Sequence, residues 1–199
     1  MQKTESIKPN DIKRISDYFK ENKMYNKYLA FILALCTGRK MSDILRTEWW
    51  QLVNKDGIIR DTLIFVEPKR PQDDRYISAC NACKVAIEFY IKNTGCYPSE
   101  NDYHNTVFSK MSAQTMLSAL RKASAALNID YEIGLNSPRQ TFGSLCRQIH
   151  PCGLDGIEMI QNIYNHKENT AEQYVTMDKQ RRDRYLKALG EIIDEILES

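Results

Sequence analysis

The sequence predicts a mainly α-helical fold carrying one small antiparallel β-sheet, an α+β arrangement. Two observations predict it. Apolar residues recur at three- and four-residue spacing through most of the 199 residues. One stretch, Ile58 to Ala79, breaks that rhythm with β-branched and aromatic residues on either side of a turn-rich run, Pro68 to Asp74.

The elements follow in order. Pro9-Asn-Asp-Ile opens a helix to about Glu21, with Ile12, Ile15, Tyr18 and Phe19 on one face. Lys27 to Cys36 is apolar nearly all round, which predicts a buried helix ended by Thr37-Gly38. Ser42 is a natural N-cap for a short helix carrying Ile44 and Leu45. Thr62 to Val66 and Arg75 to Ala79 read as strands, two or three in all. Helices are expected at about 81–93, 112–127, 138–149, 154–164 and 168–176. A last one, about 178–197, places Leu186, Leu189, Ile193 and Ile196 at amphipathic spacing. Trp49 and Trp50 read as core anchors. With no repeat or low-complexity linker, the whole of 1–199 reads as one domain.

Composition narrows the function classes. Twenty-eight basic against 26 acidic residues leave a formal charge of +2, so a nucleic-acid site has to be a local patch rather than the whole surface. The longest apolar run, Tyr28 to Cys36, is nine residues, where a bilayer span needs about 20. The polar start Met1-Gln-Lys-Thr-Glu-Ser6 lacks the apolar core of a secretion signal. A cytoplasmic protein without membrane partners is expected. Six cysteines are too sparse for a disulfide framework. They read as buried or surface thiols, with no metal or other cofactor expected. A metal-holding module built on Cys80, Cys83, Cys146, His150 and Cys152 is the remote alternative.

Four short stretches carry cationic or hydroxyl-bearing residues beside element boundaries. They are Thr37-Gly-Arg39-Lys40-Met-Ser-Asp-Ile-Leu45 with Trp49 after it; Glu67-Pro-Lys69-Arg70; Leu135-Asn136-Ser-Pro-Arg139-Gln140-Thr-Phe-Gly143; and Tyr164-Asn-His166-Lys167-Glu-Asn-Thr-Ala-Glu-Gln-Tyr174. Their order and spacing resemble the catalytic domain of the tyrosine recombinases, the phage integrase family. That family shows a T-G-x-R-x-S-E-L-L-x-x-x-W box, a lysine on a β-hairpin, H-x-L-R-H-T-F, and then G-H with a tyrosine about nine residues later. The match runs from Thr37 to about Leu189. In its shortness the chain resembles the fimbrial-switch invertases, which consist of the catalytic domain alone. The resemblance therefore implies a recombinase catalytic-domain fold with no N-terminal core-binding domain, unless the chain is a piece of a longer integrase.

The resemblance also implies a mechanism, in which double-stranded DNA is cut and rejoined during integration, excision or inversion. A tyrosine hydroxyl, here Tyr174, forms a covalent 3′-phosphotyrosine that conserves the phosphodiester energy. Arg139 holds two phosphate oxygens in its planar fork, and His166 adds a donor. Lys69 protonates the departing 5′-oxygen. Lys40 occupies the place of the family's first arginine and Asn136 that of its histidine. Arg39, Arg70, Gln140 and Lys167 are expected to contact the DNA around them. The nucleoid, or a phage or other mobile element, is the implied setting.

Two departures keep a second reading open. Lysine is a point charge and does not reproduce a bidentate guanidinium. A local slip bringing Arg39 to the phosphate instead is disfavoured, because adjacent helical positions point about 100° apart. Asparagine donates a hydrogen bond but cannot take the proton of a phenol whose pKa is about 10. Smaller departures are Gln140 for a histidine, Asn165 for a glycine, and Tyr174 only eight residues after His166. The alternative is a recombinase-fold regulator or accessory factor that binds DNA without cutting. The amphipathic last helix is expected to pack on its own domain in the isolated chain, or on a second copy in a DNA-bound homo-oligomer.

Overall fold

In a computed structural model, the structure describes residues 4–66, 75–96, 98, 102–149 and 179–199. The expected helices at 154–164 and 168–176 fall outside that range, as does the connector between the strands. In chain order the described elements are α1 (Pro9–Glu21), α2 (Tyr25–Thr37), α3 (Met41–Ile44), α4 (Trp49–Leu52), β1 (Thr62–Phe65), β2 (Arg75–Ser78), α5 (Asn81–Thr94), α6 (Ala113–Ala126), α7 (Ser137–Ile149) and α8 (Lys179–Glu198).

The core is built around α2. Every residue from Tyr28 to Thr37 is buried, as an all-round apolar helix must be if it is to hide its whole circumference from water. Helices α1, α3, α5, α7 and α8 pack on it. Helix α1 turns Ile12, Ile15 and Phe19 inward, and the Phe19 ring meets Phe31 edge-on at 5.9 Å. Helix α8 buries Leu186, Leu189 and Ile193. Its apolar face is therefore used within the chain, and a second copy could reach that face only after its release.

Strands β1 and β2 pair antiparallel in the register Thr62–Ser78, Leu63–Ile77, Ile64–Tyr76 and Phe65–Arg75. Leu63, Phe65 and Ile77 face the core while Tyr76 stays exposed, the alternation of a half-buried sheet. The described sheet has two strands; beside it, Ile59 makes an isolated bridge to Val53.

Local differences from expectation have local causes. Helix α3 begins at Met41, with extended Lys40 and not Ser42 at its N-cap; the Ser42 hydroxyl lies 3.4 Å from the Asp43 carboxylate instead. The unexpected turn α4 is held by a reciprocal capping box between Glu48 and Gln51. Trp49 is a core residue, 5% exposed, and lies 6.1 Å from the Tyr90 ring. Trp50 is only half-buried, its indole N–H donating to Glu48 at 2.7 Å.

Candidate nucleic-acid interface

The structure brings the first and third boxes together at one point. Helix α2 ends on Gly38, whose φ of +63° is left-handed and whose N–H donates to the Ala34 carbonyl. The chain leaves in the extended conformation through Lys40 and enters α3. On the facing helix α7, the Arg139 guanidinium donates from Nη1 to the Gly38 carbonyl oxygen at 3.1 Å. Three residues on, the Phe142 ring lies so close to Gly38 that an added Cβ would be 2.6 Å from Cδ1. Segments 101 residues apart are thus tied together by a hydrogen bond and a close approach.

The start of α7 is held firmly. Ser137 is buried and its hydroxyl accepts the Gly134 N–H at 3.0 Å. The Thr141 hydroxyl donates to the Ser137 carbonyl at 2.8 Å and accepts the Ile7 N–H at 2.7 Å, which ties the N-terminal segment to this helix. Pro138 sits in the first turn, where a missing N–H costs nothing. Asn136 and Gln140 are exposed at this end and Arg139 is half-buried between them. Sequence spacing puts 136, 139 and 140 on one face. The helix's positive end, with its first-turn N–H groups, points the same way.

The two cations of the first box diverge. Lys40 is exposed. Arg39 is 5% exposed, with Nη2 at 3.4 Å from the Asp43 carboxylate and the guanidinium 6.0 Å from the Phe65 ring centre. Asp43 in turn pairs with Arg46 at 2.8 Å. The Arg39 charge is thus balanced below the surface, while that of Lys40 faces solvent. Neither Asp43 nor Thr141 was anticipated as a supporting residue; the i,i+4 spacing of Arg39 and Asp43 was the available signal for the first.

Lys69, Arg70, His166, Lys167 and Tyr174 lie outside the described residues; the expected site residues that are described are Lys40, Asn136, Arg139 and Gln140, with Arg39 buried beneath. Among the described residues, no helix is long and apolar enough to cross a membrane.

No protein-family model matches the chain, and no curated protein matches it. Among solved structures, it is similar to the XerH site-specific recombinase bound to its palindromic difH substrate in a post-cleavage complex, with 15% sequence identity and a TM-score of 0.57. The match covers 90% of this chain and 51% of that one, so the chain spans about half the length of that recombinase. Identity this low speaks for the fold alone. The fold is a mainly helical one with a small antiparallel sheet, of the recombinase catalytic-domain type, as the four boxes led us to expect.

Proposed function

We propose that the protein binds double-stranded DNA and acts as a tyrosine site-specific recombinase, cleaving and rejoining strands through a 3′-phosphotyrosine. The observation that carries this reading is the Arg139–Gly38 hydrogen bond. A recombinase active site requires its first and third boxes to meet over one phosphate, and here they meet although 101 residues separate them. The fold likeness to a recombinase captured on its DNA after cleavage supports the same reading.

In this mechanism the scissile phosphate rests over the start of α7. The pentacovalent transition state gathers negative charge on its oxygens, and fixed donors aimed there are each worth about 3–4 kcal/mol. Arg139 supplies a planar fork, Lys40 a point charge, and Asn136 and Gln140 neutral amide donors. Tyr174 gives its phenol proton to solvent water, since Asn136 cannot accept it, and attacks phosphorus as the 5′-oxygen leaves with a proton from Lys69, while His166 donates to a phosphate oxygen. A free 5′-hydroxyl later attacks the phosphotyrosine, restoring the phosphodiester and releasing Tyr174.

Lys40 and Asn136 favour one other reading, a DNA-binding regulator of the same fold that does not cut. A nicked DNA duplex that traps covalent intermediates separates the two. Wild-type protein should form an adduct that Tyr174→Phe does not. Sequence-specific binding with no adduct would instead establish the regulator. Restoring adduct formation with Lys40→Arg combined with Asn136→His would then identify the two departures as the cause.

A further inference from the structure

Three cysteines from two helices converge. The sulfurs of Cys36, Cys80 and Cys83 all lie within 4.8 Å of one another. Cys36 belongs to the last turn of α2. Cys80 is the N-cap of α5, and Cys83 sits three residues further on, so helix geometry turns both toward the same side. Cys146 and Cys96, also free thiols, are not part of the group. The metal set considered from the sequence is thereby corrected. Cys80 and Cys83 do have a third partner, but it is Cys36 of the buried helix rather than Cys146; His150 and Cys152 lie outside the described residues.

We propose that Cys36, Cys80 and Cys83 form a structural site for one thiophilic divalent ion of the zinc class. Sulfur ligands about 2.3 Å from zinc sit about 4 Å from each other, so closing the observed triangle needs sulfur movements of less than about 1 Å. Three sulfurs and no hard oxygen in the group select a soft or borderline cation over magnesium or calcium. Cys36 and Cys83 are buried, at 4% and 1% exposure, so the thiolate charge requires a cation to compensate it. Cys80 lies beside both of these buried thiols. It stands, too, at the positive end of a 14-residue helix. Binding replaces the thiol protons of Cys36, Cys80 and Cys83 with metal–sulfur bonds and releases them to solvent.

Cys80 also borders a cavity of about 470 Å³ lined by Ser78, Asn81, Gly190 and Asp194. Helix α8 roofs the cluster at Gly190, where an added Cβ would collide with that of Cys80. The ion clips α2 to α5 only two residues before Gly38, and so stiffens the end of the helix on which Arg139 docks. The inference does not depend on whether the protein cuts DNA.

The test uses the full chain, reduced and purified without chelator. Elemental analysis should find about one equivalent of zinc. Titrating the metal-free protein with Co²⁺ should produce thiolate-to-cobalt charge-transfer bands that saturate at one equivalent and disappear on adding Zn²⁺. Cys36→Ser should abolish the bands and Cys96→Ser leave them unchanged. Because the Cys36 variant could misfold, alkylation of the wild-type chain supplies a second measurement. Zn²⁺ should slow modification of Cys36, Cys80 and Cys83 at least tenfold relative to Cys96. Absence of charge-transfer bands, bands that survive Cys36→Ser, or equal alkylation rates with and without Zn²⁺ would each overturn the proposal.

Discussion

Helix α2 stops against the ring of Phe142: Gly38 meets it so closely that any β-carbon would sit 2.6 Å from Cδ1. Two physical demands coincide at this residue. A φ of +63° strains any L-residue bearing a side chain by about 1–2 kcal/mol, and the ring forbids the added volume. Gly38→Ala should therefore cost about 2–4 kcal/mol, the overpacking adding to the backbone strain. Calorimetry should show a melting point lower by roughly 5–15 °C for a chain of this size. Adding Phe142→Leu should recover part of the loss, because residues in contact are not additive. Strict additivity would show that the contact carries no energy.

Arg139 hangs from the carbonyl of that same glycine, which fixes the direction of its guanidinium. Arg139→Lys keeps the charge but loses the fork. Covalent adduct formation on nicked DNA should fall by about 10²–10³-fold, the usual effect of removing one transition-state donor. DNA binding should weaken far less. Equal losses in binding and adduct formation would mean that the arginine serves ground-state contact only.

Much of this was legible in the sequence because its causes are local. The all-round apolar run of α2, the Thr37-Gly38 stop and the alternation in β1 each follow from residues within a few positions. The Gly38–Phe142 approach and the convergence of Cys36 with Cys80 and Cys83 are tertiary. Their partners are separated by dozens of residues, and no periodicity announces them. The CxxC at Cys80 was visible, but its third sulfur sits in a helix whose sequence reads as pure core. Placing the arginine of the third box beside the first required the recombinase resemblance, since spacing alone does not fold α7 onto α2.

Asp194 on α8 predicts a pH dependence in the metal-free protein. Its carboxyl is pushed up to about 6, first by burial, then by neighbouring Cys80 and by Glu198, against hydrogen bonds from Asn81 and Ala82 that act the other way. Glu191 and Lys187 border the same cavity. A carboxyl raised above its unfolded value, about 3.9, stabilises the fold below that value, and the benefit is lost as pH rises through about 6. Asp194→Asn should therefore melt higher than wild type at pH 8, and the gap should close by about pH 4. Solvent screening of this partly exposed group keeps the difference below about 1 kcal/mol. A gap that is constant with pH would remove the electrostatic explanation.

The divergence of Arg39 and Lys40 gives a paired prediction about which cation DNA encounters. Lys40 is exposed, so Lys40→Ala should leave the melting point within about 1 °C while reducing the slope of log affinity against log salt by about 1, the signature of one lost phosphate contact. Arg39 is buried beside Asp43 and Phe65, and removing one partner of a buried ion pair leaves the other charge less compensated. Asp43 would retain its bond to Arg46. Arg39→Met should accordingly destabilise the fold by about 1–3 kcal/mol, the retained Arg46 pair limiting the loss, and leave the salt slope intact. Fluorescence anisotropy on a labelled duplex at several salt concentrations reads both slopes. If Arg39→Met lowers the slope and Lys40→Ala does not, Arg39 must swing out to the phosphate on binding, and the first box would act through its buried arginine after all.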